Sequence, residues 1–163
     1  MTEIVIRTLT HDDASACDAI ILSLPEHFGL EGGRKECARA VRTCDGLVAT
    51  HASQVVGFLT IERPFLASAE ITWMAVHANW RHRRIGSALI QHLCRDLRAE
   101  GRHVLLVATQ SESVDERGVP DTYVDTRAFY VAKGFIPVRE AHNYWGSGNP
   151  ALLLILPLDA ATP

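Results

Sequence analysis

Residues 79–93, NWRHRRIGSALIQHL, set three arginines and a histidine ahead of a glycine and then continue as an apolar-periodic run. Ile85, Leu89, Leu93 and Leu97 recur every four residues and predict a helix over Ile85 to Leu97, with Gly101 as its C′ residue. The segment ending at Val76 reads as a strand. A strand, a basic turn and a helix in that order make an anion site, because the first amides of the helix lack internal partners and the macrodipole adds positive charge. Gly86 lets a ligand approach the backbone and Ser87 adds a hydroxyl. Arg81 to Ser87 therefore read as a phosphate cradle, although a solvated basic turn capping a core helix would present the same residues.

The cations are local, since the formal net charge is -3. That total disfavours a protein that coats nucleic acid through Arg81 to Arg84, where many phosphates must be neutralised, and suits a small polyanion better. Neither GxxxxGK[ST] nor GxGxxG occurs, which argues against a nucleoside triphosphate or a dinucleotide. With 163 residues, 47% hydrophobic and 21% charged, the chain is expected to be one globular domain over 1–163. No apolar run approaches the ~18 residues of a membrane span, and the first ten residues do not resemble a signal peptide, so a cytoplasmic protein is expected. Cys17, Cys37, Cys44 and Cys94 form no CxxC pair and read as reduced thiols. No HExxH or Cys/His cluster is present, so no metal is expected.

Working outward, residues 3–8 alternate as a strand, and Thr10 with Asp13 opens a helix running to about Leu24, before Pro25. A second helix is predicted from Arg34 to Thr43. GLVATH, QVVGFLTIE and AEITWMAVH follow as an antiparallel meander. After the Ile85 helix, HVLLVAT returns as a buried strand, so a crossover makes one parallel pair. Residues 110–123 are polar and too long for a plain connection, making a candidate lid. Their Glu112, Asp115, Glu116 and Asp121 would either attract a cationic amine or simply be solvated. Asp125 to Lys133 reads as a helix ended by Gly134, followed by strands FIPVRE and NPALLLILPL.

RHRRIGSAL resembles the acyl-coenzyme A motif of the GNAT superfamily of N-acetyltransferases, R/Q-x-x-G-x-G/A. Arg81 falls on its first position and Gly86 on its later glycine, while Arg84 stands where the first glycine is usual. A side chain there either crowds the phosphates or pairs with them. TRAFYVAKGF, Thr126 to Phe135, is similar to the family's second block, and the order of elements agrees along nearly the whole chain. The resemblance implies a mixed α/β (α+β) fold with a mostly antiparallel, V-shaped central sheet flanked by helices.

It also implies acetyl transfer from acetyl-CoA to a primary amine by direct attack in a ternary complex, with no metal. The coenzyme would contact Arg81, His82, Arg83, Arg84, Ile85, Gly86 and Ser87 at its pyrophosphate. Its pantetheine arm would add like a strand beside Met74, Ala75 and Val76, with Thr126 and Phe129 nearby. Glu70 falls where many members keep a base, and Tyr130 where members place a general acid beside the sulfur. In bulk reference terms a carboxylate near 4.3 deprotonating a lysine-like amine near 10.4 faces about 8 kcal/mol, so a useful Glu70 needs a raised pKa, a less basic amine or a water relay. Phe28, Trp73, Tyr123 and Trp145 are candidate walls of an acceptor pocket or, equally, core aromatics. A non-catalytic coenzyme A module is the alternative, and such domains often form homodimers through exposed strand edges.

Overall fold

The computed structural model describes residues 3–112 and 121–159. Strand β1 (Val5–Thr8) leads to a 3-10 turn, His11–Asp13, and helix α1 (Ala14–Leu22). Asp13 holds the join, accepting the Thr10 amide (2.9 Å) and hydroxyl (3.0 Å) and two nitrogens of Arg7 (2.8 Å each). These donors, the Arg7 guanidinium first, bring its carboxyl down to about 2. Helix α1 ends two residues short of the expected Leu24, because a residue before proline is pushed away from helical backbone.

Helix α2 (Glu31–Thr43) starts three residues ahead of the expected Arg34. Gly32 and Gly33 each cost roughly 1 kcal/mol in a helix, but Glu31 in the first turn favours the dipole and pairs with Lys35 at 2.7 Å. The meander is as expected: β2 (Asp45–His51), β3 (Gln54–Phe65) and β4 (Ser68–Val76) are antiparallel. Helix α3 (Ile85–Ala99) crosses over to β5 (Val104–Gln110), parallel to β4. Helix α4 (Val124–Ala132) ends at Gly134 with φ 91°, and strands β6 (Ile136–Ala141) and β7 (Ala151–Pro157) complete the sheet.

The strand order is β1-β2-β3-β4-β5-β7-β6, with β7 inserted between β5 and the edge strand β6. Two features of β4 open this sheet. It pairs with β5 only from Ser68 to Ile71, against Val104 to Val107, so the two strands part beyond that point and give the expected V. Thr72 is an extra residue: Ile71 lies opposite Ile61 and Trp73 opposite Thr60, a β-bulge at which the Thr72 and Thr60 hydroxyls meet at 2.8 Å. The bulge resets the alternation, so Met74 and Val76 pack towards α3 whereas Trp73 and Ala75 pack towards α1 and α2.

One core layer places Ile85, Leu89, Leu93 and Leu97 of α3 against Leu59, Ile71, Leu105 and Leu154 of the sheet. The other packs Cys17, Ile20, Cys37 and Val41 of α1 and α2 against Val48 and Phe58. All four cysteines are free, and burial pushes the Cys17 and Cys37 thiols up to about 12. Among the described residues, no helix is long and apolar enough to cross a membrane.

Candidate active site

After β4 the chain makes a 3-10 turn, Ala78–Trp80, and then the basic stretch that enters α3. His82 and Arg84 both have φ 62°, left-handed backbone that costs a non-glycine residue roughly 1–2 kcal/mol. The departure from glycine at residue 84 therefore falls where glycine would be unstrained. The first bond of α3 runs from the Ala88 amide to the Arg84 carbonyl (3.0 Å), leaving the Ile85, Gly86 and Ser87 amides ahead of it for an outside acceptor. Glycine at 86 has a second reason beside the expected ligand approach. A Cβ there would come within 3.1 Å of the Phe129 ring, so it is α4 that presses close.

A cavity of about 570 Å³ opens beside this turn. Arg81, His82, Arg84, Ile85, Gly86 and Ser87 line one end, Met74, Ala75 and Val76 one wall, and Thr126, Phe129 and Tyr130 the facing wall. Phe28 and Tyr123 also line the cavity. Arg83 is not in the lining; its guanidinium lies 4.9 Å over the Trp80 ring, which itself meets His51 at 4.6 Å. The His77 amide donates to the Val56 carbonyl (2.9 Å), which fixes the parity of the ladder. Trp73 and Ala75 thus turn their amide groups to β3, and Met74 and Val76 turn theirs to the side that β5 has vacated.

Glu70 stands outside the cavity lining, at the last paired stretch of β4, half-buried and opposite Glu62 across the β3–β4 ladder. Burial first and Glu62 second raise its pKa. Tyr144, on the loop between β6 and β7, is near enough that Glu70 adds to the raising of its phenol by burial. Tyr130 is only 5% exposed, with its ring edge-on to Phe129 (5.4 Å) and Phe135 (5.3 Å). Burial holds its phenol above the ordinary value, and its hydroxyl has no hydrogen-bond partner among the described residues.

Trp73 lies behind Phe28, ring centroids 6.0 Å apart, rather than in the lining. Trp145 is also outside it, 47% exposed and edge-on to Tyr144 at 5.1 Å. Of the acidic residues between 110 and 123, Asp115 and Glu116 fall outside the described residues. Asp121 is bound to the buried Arg127 guanidinium, which holds its carboxyl below the usual range, and Glu112 lies 3.8 Å from the same side chain. Asp121 is thus taken up in an internal pair, where the sequence left open either attraction of a cationic amine or plain solvation. Leu24, His27, Trp80, Asp125 and Ala128 also line the cavity, beyond the residues expected from the sequence. Asp125 and Ala128 share α4 with the expected Thr126, Phe129 and Tyr130, so a helical reading of that segment carries part of this wall.

A family model described as an acetyltransferase (GNAT) domain matches residues 42–137. Among curated proteins none matches the sequence. Among solved structures, a GNAT-family protein from Desulfovibrio desulfuricans has a TM-score of 0.81 at 17% identity, covering 96% of this chain and 99% of its own. The ribosomal-protein-S18-alanine N-acetyltransferase from Escherichia coli has a TM-score of 0.76 at 19% identity, covering 98% and 97%. An aminoglycoside 6′-N-acetyltransferase complexed with coenzyme A has 0.75 at 14%, covering 98% and 99%. At these identities the likeness is one of fold.

Proposed function

The chain belongs to the GNAT acetyltransferase family and is an acyltransferase, and we propose that it moves an acetyl group from acetyl-CoA to a primary amine by direct attack in a ternary complex. The observation that carries this reading is the continuity of one cavity. It joins the cationic turn and free amides of α3 to the opened backbone edge of β4 and to Tyr130.

The residues present fit acetyl-CoA. The Ile85, Gly86 and Ser87 amides with Arg81, His82 and Arg84 suit its pyrophosphate, and the free backbone edge at Met74 and Val76 suits its pantetheine amides. A volume of about 570 Å³ lies in the range of small-molecule sites. Bound there, acetyl-CoA supplies the acetyl thioester and, after transfer, a thiol.

The chain's own groups supply the rest. An amide at Met74 or Val76, unpaired because β5 has diverged, is a donor for the developing oxyanion. Glu70, with its pKa raised by burial, is a better proton acceptor than an exposed carboxylate. Since it stands outside the cavity lining, it works through water. Tyr130 keeps its proton, because burial makes the phenol less acidic. A leaving thiolate near 8.5 needs only its hydrogen bond and not its proton. Phe28 and Tyr123 form the acceptor wall. The free cysteines support a reducing, cytoplasmic setting.

The test is thiol release from acetyl-CoA against a panel of primary amines, from small diamines to peptide N-termini, with both substrates varied. Intersecting rate lines and no acetylated protein by mass are expected. Parallel lines with an acetyl-enzyme overturn direct attack, and no release above background with any amine overturns the enzymatic reading.

A further inference from the structure

The cavity lies where β4 and β5 part, and each arm of the V carries its own attachment. On the β4 arm, Trp73 seats Phe28 and with it the loop between α1 and α2. On the β5 arm, Arg127 of α4, 6% exposed, donates to the carbonyl of Gln110 at the end of β5 (3.0 Å). Both terminal nitrogens of Arg127 also reach the Asp121 carboxylate, Nη1 at 3.2 Å. Asp121 in turn accepts the Tyr123 amide (3.0 Å).

The arms meet at Tyr123. Its hydroxyl donates to the His27 carbonyl (2.9 Å), the two rings meet edge to face at 5.2 Å, and the Thr122 hydroxyl reaches the Glu26 carbonyl at 3.5 Å. A chain of contacts thus crosses the open end of the V, and His27, Phe28 and Tyr123 are themselves part of the cavity wall.

We infer that this strap is a gate over the cavity, with the Tyr123–His27 contact as its latch and Arg127 as the positioning residue that holds Tyr123 in reach. The links differ in strength. Arg127 and Asp121 form a charged pair in which the guanidinium is buried and the carboxylate is exposed, so its opening would leave the desolvated guanidinium without its counter-charge. The latch is one neutral hydrogen bond, a factor of about 3 to 10 in an equilibrium. The latch therefore opens first, and opening of this kind belongs to the microsecond-to-millisecond range of loop gates. Ligands pass while it is open and are held once it re-forms.

The inference rests on reading the cavity as the coenzyme site. The test is stopped-flow mixing with acetyl-CoA, followed by tryptophan fluorescence, to which Trp80 in the cavity wall contributes. Tyr123→Phe keeps the ring and removes the latch bond. It is expected to raise association and dissociation rates together, by about 3- to 10-fold, with Kd within about twofold of wild type. Arg127→Lys is expected to give the same paired acceleration, and Tyr123→Phe stands as the test whether or not that variant folds. Rates within twofold of wild type, or a faster dissociation alone with a matching loss of affinity, overturn the gate and leave the coenzyme reading in place. No fluorescence response and no calorimetric heat with the wild-type protein overturn the coenzyme reading, and the gate with it.

Discussion

The ring of Phe129 occupies the space a side chain at Gly86 would need, 3.1 Å from where its Cβ would sit. This contact sets the distance between α3, which offers its free amides, and α4, which carries Tyr130. Gly86→Ala gains helix propensity but requires the ring to give by a few tenths of an ångström, an overpacking cost of about 1 kcal/mol. Acetyl-CoA binding is expected to weaken by roughly tenfold in a calorimetric titration, and Phe129→Leu in the same chain to recover most of it. Unchanged affinity in Gly86→Ala would detach α4 from the site.

Arg84 carries two effects of opposite sign. Its left-handed backbone is strained by roughly 1–2 kcal/mol, part of which Arg84→Gly regains after the glycine's larger unfolded-state entropy is deducted. The melting midpoint should rise by about 2 °C. Losing the cation should weaken acetyl-CoA binding and flatten its salt dependence. Tighter binding in the variant would mean that the side chain crowds the phosphates.

Glu70 has its folded pKa raised, by burial and by Glu62. Such a group contributes stability at low pH that is lost as pH rises through the folded pKa, so Glu70→Gln should be at least as stable as wild type at neutral pH. Its turnover under saturating donor should fall, and the acidic limb of the pH profile should disappear. Glu62→Gln should shift that limb to lower pH. A profile untouched by Glu70→Gln removes this residue from the mechanism.

Tyr130→Phe deletes a hydroxyl that bonds to nothing among the described residues, so the melting midpoint should hold while turnover falls about 100-fold. Acetyl-CoA affinity should change little. Wild-type turnover would reduce Tyr130 to a packing residue.

Much of this architecture is legible in local pattern. The four-residue spacing from Ile85 to Leu97 sets the buried face of α3, and Gly101 and Gly134 stop their helices with φ 76° and 91°. The crossover around α3 makes β4 and β5 parallel, as expected of strand, helix, strand. The misses share a cause, tertiary context outweighing local signals. The second helix is expected only from Arg34, yet Glu31 and Lys35 carry it through Gly32 and Gly33. ITWMAV is an unbroken run with no glycine to mark the bulge at Thr72, although that bulge decides which way Met74 and Trp73 point. No local pattern sets β7 between β5 and β6, or brings Tyr123 to His27, 96 residues away in the chain.

The most direct test of the central claim is the thermal midpoint along a ladder of acetyl-CoA concentrations. A ligand bound only by the folded state adds RT ln(1 + [L]/Kd), about 2.7 kcal/mol at one hundred times Kd. The cavity between α3 and the opened edge of β4 predicts a midpoint that climbs with the logarithm of concentration and is blunted in Gly86→Ala. A flat midpoint up to millimolar acetyl-CoA would contradict the coenzyme site, and with it the proposed transfer.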